Sequence, residues 1–135
     1  MAACLSFYGV YDFGDRNGHW PNRALQDLLE RFVMKARLDE EPDRFEAASP
    51  IAHLGPHAPA FLVVHGERDS VVPVAEARAF VEALRHATAA ECAYIEVPGA
   101  QHAFEVFPSV RTQHLLRGLE RFAVHVHRDY LASHR

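Results

Sequence analysis

Residues 61–73 read Phe61-Leu62-Val63-Val64-His65-Gly66-Glu67-Arg68-Asp69-Ser70-Val71-Val72-Pro73. The first five form a continuous run with β-branched members, as expected of a strand buried on both faces. The run stops at Gly66, where glycine allows a tight turn. A helix is predicted to begin near Pro73 or Val74, because proline suits a first helical turn. Val74, Ala77, Val81 and Leu84 then recur at helical spacing and give that helix an inward stripe.

The same alternation extends to either side. Ala3 to Val10 reads as an earlier strand, and Ala93 to Val97 as a later one. The later strand alternates apolar with polar residues and is followed by Pro98, which fits a half-exposed strand near a sheet edge. Residues 11–20 carry Asp12, Gly14, Asp15, Asn17 and Gly18 and read as a loop. A helix is predicted from Asn22 to Arg37, with Leu25, Leu28, Leu29, Phe32 and Ala36 inward. Residues 38–59 hold four prolines and are expected to be irregular, with at most a short helical turn. A last helix is predicted from Ser109 to Leu131, with Leu115, Leu119, Phe122, Val126 and Tyr130 on one face. Strands alternating with helices imply an α/β fold with a parallel sheet, in one domain spanning 1–135.

Composition narrows the partners. A net charge of −4 gives no basic footprint, so nucleic acid is not an expected partner. No apolar run reaches the length of a membrane span. The first residues carry no basic leader and do not read as a signal peptide. Cys4 and Cys92 show neither metal nor redox spacing, so a reducing, cytoplasmic compartment is the default expectation. Ten histidines are many for this length, yet the best metal pair, His125 and His127, falls in a helical pattern where i and i+2 diverge. No metal or other cofactor is expected.

Ligand and catalytic groups of open parallel sheets collect beyond the carboxyl ends of the strands. Asp69 lies there after one strand and His102, in Pro98-Gly99-Ala100-Gln101-His102-Ala103-Phe104, after the next. An aspartate so placed accepts a hydrogen bond from the imidazole N–H, fixing the tautomer while the other nitrogen handles a proton. Gly99 supplies a tight turn before the histidine. Alone, Asp69 reads equally as a turn residue or helix cap, and His102 as a structural or surface histidine. Their order, aspartate then histidine, each behind a strand, is what sets them apart.

His-Gly-x-x-Asp-x-x-Val-Pro and Gly-x-x-His-x-Phe, as they stand at 65–73 and 99–104, resemble the C-terminal half of an α/β-hydrolase. The chain is similar to hormone-sensitive-lipase-like carboxylesterases and lipases from Phe7-Tyr8-Gly9-Val10-Tyr11-Asp12-Phe13, through Ala48-Ser49-Pro50-Ile51, to the final helix. The resemblance implies a partial α/β-hydrolase fold whose three parallel strands are the last three of the sheet. It makes Asp69 the acid and His102 the base of a Ser-Asp-His triad acting on a small-molecule or lipid ester. It makes residues 11–59 a connection that helps form the cap and acyl pocket. Phe13, Trp20, Phe32, Phe104 and Phe107 are candidates for that pocket or for the core.

The family's nucleophile elbow, Gly-x-Ser-x-Gly, does not occur in these 135 residues. None of Ser6, Ser49, Ser70, Ser109 and Ser133 lies between glycines at a strand-to-helix turn. The expectation is an esterase segment that is inactive alone. The alternatives are a non-enzymatic binding or assembly module, or a peptidase or dienelactone-hydrolase-like enzyme. With its family neighbour strand missing, Ala3 to Val10 is expected to be an apolar edge that self-associates into a dimer.

Overall fold

A computed structural model describes residues 3–133. Three strands form one sheet in the order β1-β2-β3: β1 (Ala3–Phe7), β2 (Ala60–Gly66) and β3 (Cys92–Val97). Both pairings are parallel, with Leu5 opposite Leu62 in one and Val64 opposite Ile95 in the other. Parallel strands need crossovers. The first is α1 (Ala24–Leu28) and α2 (Pro42–Ala48), and the second is α3 (Val74–Ala87). The last of the described elements is the long helix α4 (Val110–Ser133).

Side-chain alternation along β2 assigns the two layers. Leu62 and Val64 pack with Leu115, Leu119 and Phe122 of α4. Val63 faces the other way, onto Ala77, Phe80, Val81 and Leu84 of α3, with Tyr11 stacked on Phe80 at a centroid distance of 4.1 Å. The central strand is therefore buried on both faces, as its unbroken apolar run requires. β3 occupies an edge and is partly exposed, matching its alternating pattern. Glu96 of β3 is paired with Arg78 of α3, 2.6 Å apart.

Three expectations need correction. β1 ends at Phe7, because Tyr8 adopts a left-handed backbone (φ 37°) and takes the chain out of the strand direction. The helix read over 22–37 is α-helical only over Ala24–Leu28, winds as a π-helix over Leu29–Met34, and stops at Lys35 with φ 51°. The wider winding breaks the 3.6-residue period, so Phe32 is 68% exposed while Met34 is buried. The connection at 38–59 is more ordered than read. Pro42 starts α2 and Pro50 starts a 3₁₀ turn (Pro50–His53), so prolines open helical turns here instead of breaking them.

The long connection is tied to the sheet by polar contacts. The buried Glu76, in the first turn of α3, accepts the N–H groups of Tyr11 and Asp12 and the indole N–H of Trp20. Burial still raises its carboxyl above the ordinary range. Ser49 is fully buried; its Oγ donates to the Phe45 carbonyl and accepts the Phe13 N–H, both at 2.8 Å. Among the described residues, no helix is long and apolar enough to cross a membrane.

Candidate active site

All three strands deliver a residue to one rim of the sheet. Tyr8 follows β1, Asp69 lies three positions beyond β2, and His102 five beyond β3. The turns after β2 and β3 are interlocked. Arg68 N–H donates to the Ala100 carbonyl (2.9 Å), Glu67 N–H to that of Val97 (3.0 Å), and Gly99 N–H to the Glu67 carboxylate (2.7 Å). Gly66 is required by this approach, because a Cβ there would stand 2.6 Å from the Ala100 carbonyl oxygen. Its role is close packing of two turns, not the conformational freedom read from sequence. Gly99 does supply a left-handed turn, with φ 66°.

Asp69 is buried and uses both oxygens. Oδ1 accepts the N–H groups of Val71 (2.9 Å) and Val72 (2.8 Å), and Oδ2 lies 2.8 Å from Nδ1 of His102. The aspartate therefore holds the turn that follows it and also meets the histidine. Beneath it sits His65, fully buried at the end of β2. His65 Nε2 is 2.9 Å from the Val72 carbonyl oxygen and 3.4 Å from Asp69 Oδ2. Both neighbours are acceptors, so this nitrogen carries the ring hydrogen. Burial pushes the Asp69 carboxyl up, but hydrogen bonds from His65, the Val72 N–H, His102 and the Val71 N–H outweigh it. The group is held at about 2, below its ordinary 3.8. An anion so fixed keeps His102 in the tautomer with hydrogen on Nδ1, which leaves Nε2 as an acceptor.

His102 is followed by Ala103 with φ 55°, which starts a 3₁₀ turn (Phe104–Val106). The Tyr8 ring lies against the imidazole, with centroids 4.4 Å apart and planes inclined by 54°. The Tyr8 hydroxyl donates to Glu105 Oε1, and the hydrogen bond to that carboxylate, with burial and the nearby charges, pushes the phenol up to about 12. His65, Tyr8 and Glu105 were not singled out from sequence. His65 stood in the quoted motif as a strand residue. For Tyr8 and Glu105, 97 positions apart, the sequence carries no signal of their pairing.

The serines lie elsewhere. Ser6 Oγ is bonded to the Tyr11 hydroxyl, Ser49 to the Phe45 carbonyl and Ser109 to Thr112. Ser70 is adjacent to Asp69, and its N–H donates to Gln101 Oε1. Cys4 and Cys92 are free thiols that burial pushes up. Among the described residues, no group of three or more His, Cys, Asp or Glu side chains is placed to hold a metal ion. His125 instead lies 3.0 Å from Glu91. Of the aromatic candidates, Phe13 and Trp20 pack against Leu25, Leu29 and Val72, and Phe104 against the α4 layer. Phe32 and Phe107 are exposed.

The parallel sheet, with Asp69 and His102 joined on one rim, was compared with known proteins. The family model BD-FAE matches residues 1–84. The chain belongs to the BD-FAE family. The BD-FAE match contains Asp69 and stops short of His102. Esterase LipC of Mycobacterium tuberculosis is 42% identical over 128 residues, which cover 94% of this chain and 31% of LipC. Esterase LipQ of the same organism is 42% identical over 122 residues, 90% of this chain and 28% of LipQ. Among solved structures, Thermogutta terrifontis esterase 2 phosphonylated by sarin superposes with a TM-score of 0.72 at 26% identity, over 92% of this chain and 44% of that one. The chain thus has a partial α/β-hydrolase fold and is similar to esterases. It spans less than a third of the curated relatives' length.

Proposed function

We propose that this chain supplies the acid and the base of a Ser-Asp-His triad for carboxylic ester hydrolysis, with the nucleophile borne by a segment outside these 135 residues. The observation that carries the reading is the 2.8 Å contact between Asp69 Oδ2 and His102 Nδ1, on the rim where the three strands end. The similarity to esterases supports the reaction class.

The chemistry follows from the geometry. A serine hydroxyl approaching Nε2 of His102 gives up its proton as its oxygen attacks the ester carbonyl. The imidazolium that forms is stabilised by the Asp69 carboxylate, which stays ionised throughout. His102 then returns the proton to the leaving alcohol, and the acyl-serine is hydrolysed by water through the same two steps. Backbone N–H groups near the nucleophile hold the oxyanion. Residues 11–59 line the acyl side in this reading, since Phe13 and Trp20 pack around Val72 just after the acid. The substrate is a small-molecule or lipid ester.

In the same proposal the isolated chain self-associates through β1. Among the described residues this strand pairs with β2 alone, and Leu5 at its centre is 45% exposed. Unpaired backbone groups along an apolar edge recruit a second strand.

Turnover of a short-chain p-nitrophenyl ester tests the assignment. The chain alone is expected to be no faster than its His102→Ala variant. The chain joined to a nucleophile-bearing α/β-hydrolase segment is expected to turn over and to lose this with His102→Ala. Robust hydrolysis by the chain alone that vanishes with His102→Ala would mean that a nucleophile lies within these residues.

A further inference from the structure

His102 is held on its Nδ1 side by Asp69, but a single hydrogen bond leaves an imidazole free to tilt and to swing about its own bond to the backbone. The residue that meets its ring is Tyr8, from the far strand of the sheet. Tyr8 does so from a left-handed backbone (φ 37°), a conformation unfavourable for a bulky side chain, while its N–H continues the β1–β2 ladder to Val64 (2.8 Å). The hydroxyl end of the same ring is tied down as well. It donates to Glu105 Oε1, on the 3₁₀ turn that starts just after His102. Glu105 has no ion-pair partner among the described residues, and its second oxygen is buried without a hydrogen bond there. The residue is partly exposed, but a carboxylate oxygen shut off from solvent without a partner is costly to keep for packing alone. Its position is accounted for if it serves the ring it holds.

We propose that Tyr8 and Glu105 are positioning residues for His102: Glu105 fixes the Tyr8 hydroxyl, and the fixed ring holds the imidazole with Nδ1 on Asp69 and Nε2 facing outward. The inference rests on the triad reading above. Neither residue exchanges a proton or touches the ester. The hydroxyl stays protonated, and so remains a donor to Glu105, across the range in which such a base works.

The test uses the chain itself and needs no turnover. Long-range proton–nitrogen correlation of the ¹⁵N-labelled protein reports which ring nitrogen of His102 carries hydrogen and how fast that hydrogen exchanges with water. In the wild type we expect the Nδ1–H tautomer with slow exchange. Tyr8→Leu is expected to mix the tautomers and to speed exchange about tenfold or more. Tyr8→Phe keeps the ring but loses the tether, and is expected to fall between the two and to match Glu105→Ala. Glu105→Gln, whose amide oxygen still accepts from the hydroxyl, is expected to restore wild-type behaviour. If Tyr8→Leu fails to fold, Tyr8→Phe and Glu105→Ala decide the matter. A wild type with Nδ1–H and variants indistinguishable from it would overturn the positioning role and leave the triad reading intact. A wild type with hydrogen on Nε2 would overturn the triad reading itself, and this role with it.

Discussion

Nδ1 of His102 stands 2.8 Å from Oδ2 of Asp69, although 33 residues separate them in the chain. Two strands and two interlocked turns bring them together, and the aspartate's other oxygen is already held by two backbone N–H groups. The pair is thus built into the fold, and its ionisation is linked to stability.

The first consequence is a pH dependence. The Asp69 carboxyl is depressed in the folded chain, from 3.8 to about 2. A group whose folded value lies below its unfolded one adds stability that is fully present above the unfolded value and is lost as pH falls toward the folded one. The contribution is on the order of 2 kcal/mol. Urea unfolding followed from neutral pH down to acid should show stability falling as pH drops below about 4 toward 2. Asp69→Asn should flatten that decline.

Gly66→Ala should destabilise the chain by about 1–3 kcal/mol, the usual cost of forcing atoms into a packed site. The obstacle is backbone, the Ala100 carbonyl oxygen at 2.6 Å, so no side chain can swing aside. The turns carrying Asp69 and His102 should part, and urea midpoints together with loss of the Asp69–His102 contact would register it. A variant with wild-type stability would mean the two turns are not packed as described.

Phe80 and Phe32 make a matched pair of tests for the layer assignment. Phe80 is 1% exposed between Tyr11 and Phe61, so Phe80→Ala should cost about 3–5 kcal/mol. Phe32 is turned out by the π-helical winding, and Phe32→Ala should stay within about 0.5 kcal/mol. A large loss at Phe32 would restore the regular helix read from sequence.

Most of the architecture was legible because burial on both faces leaves a plain mark. The run from Phe61 to His65, the α3 stripe and the α4 face with Leu115, Leu119 and Phe122 all took the positions their periodicity requires. Asp69 and His102 were legible as a pair because motif and strand order coincided. What was hidden depended on backbone winding or on distant contacts. Nothing in Leu29–Met34 announces an extra residue per turn. The left-handed turn that ends β1 falls on Tyr8 and not on the neighbouring Gly9, where the sequence would place it. His65 looked like one more strand residue, because its partner, the Val72 carbonyl, belongs to a turn whose path the sequence does not give.

The proposed self-association through the β1 edge has its own test. Light scattering at micromolar concentration should report at least a dimer, and Leu5→Asp should weaken it. A stable monomer would mean that the edge is covered in some other way.

In the proposed function Asp69 and His102 act as one unit on an ester. A double-mutant cycle in the chain joined to a nucleophile-bearing segment reads that coupling. kcat/KM for a short-chain p-nitrophenyl ester would be measured for the unmodified fusion, Asp69→Asn, His102→Ala and the double variant. Each single change should cost roughly 10³-fold or more, and the double variant should be no slower than the slower single one. Independent losses that multiply, or turnover that survives His102→Ala, would mean that the two residues do not form a catalytic pair.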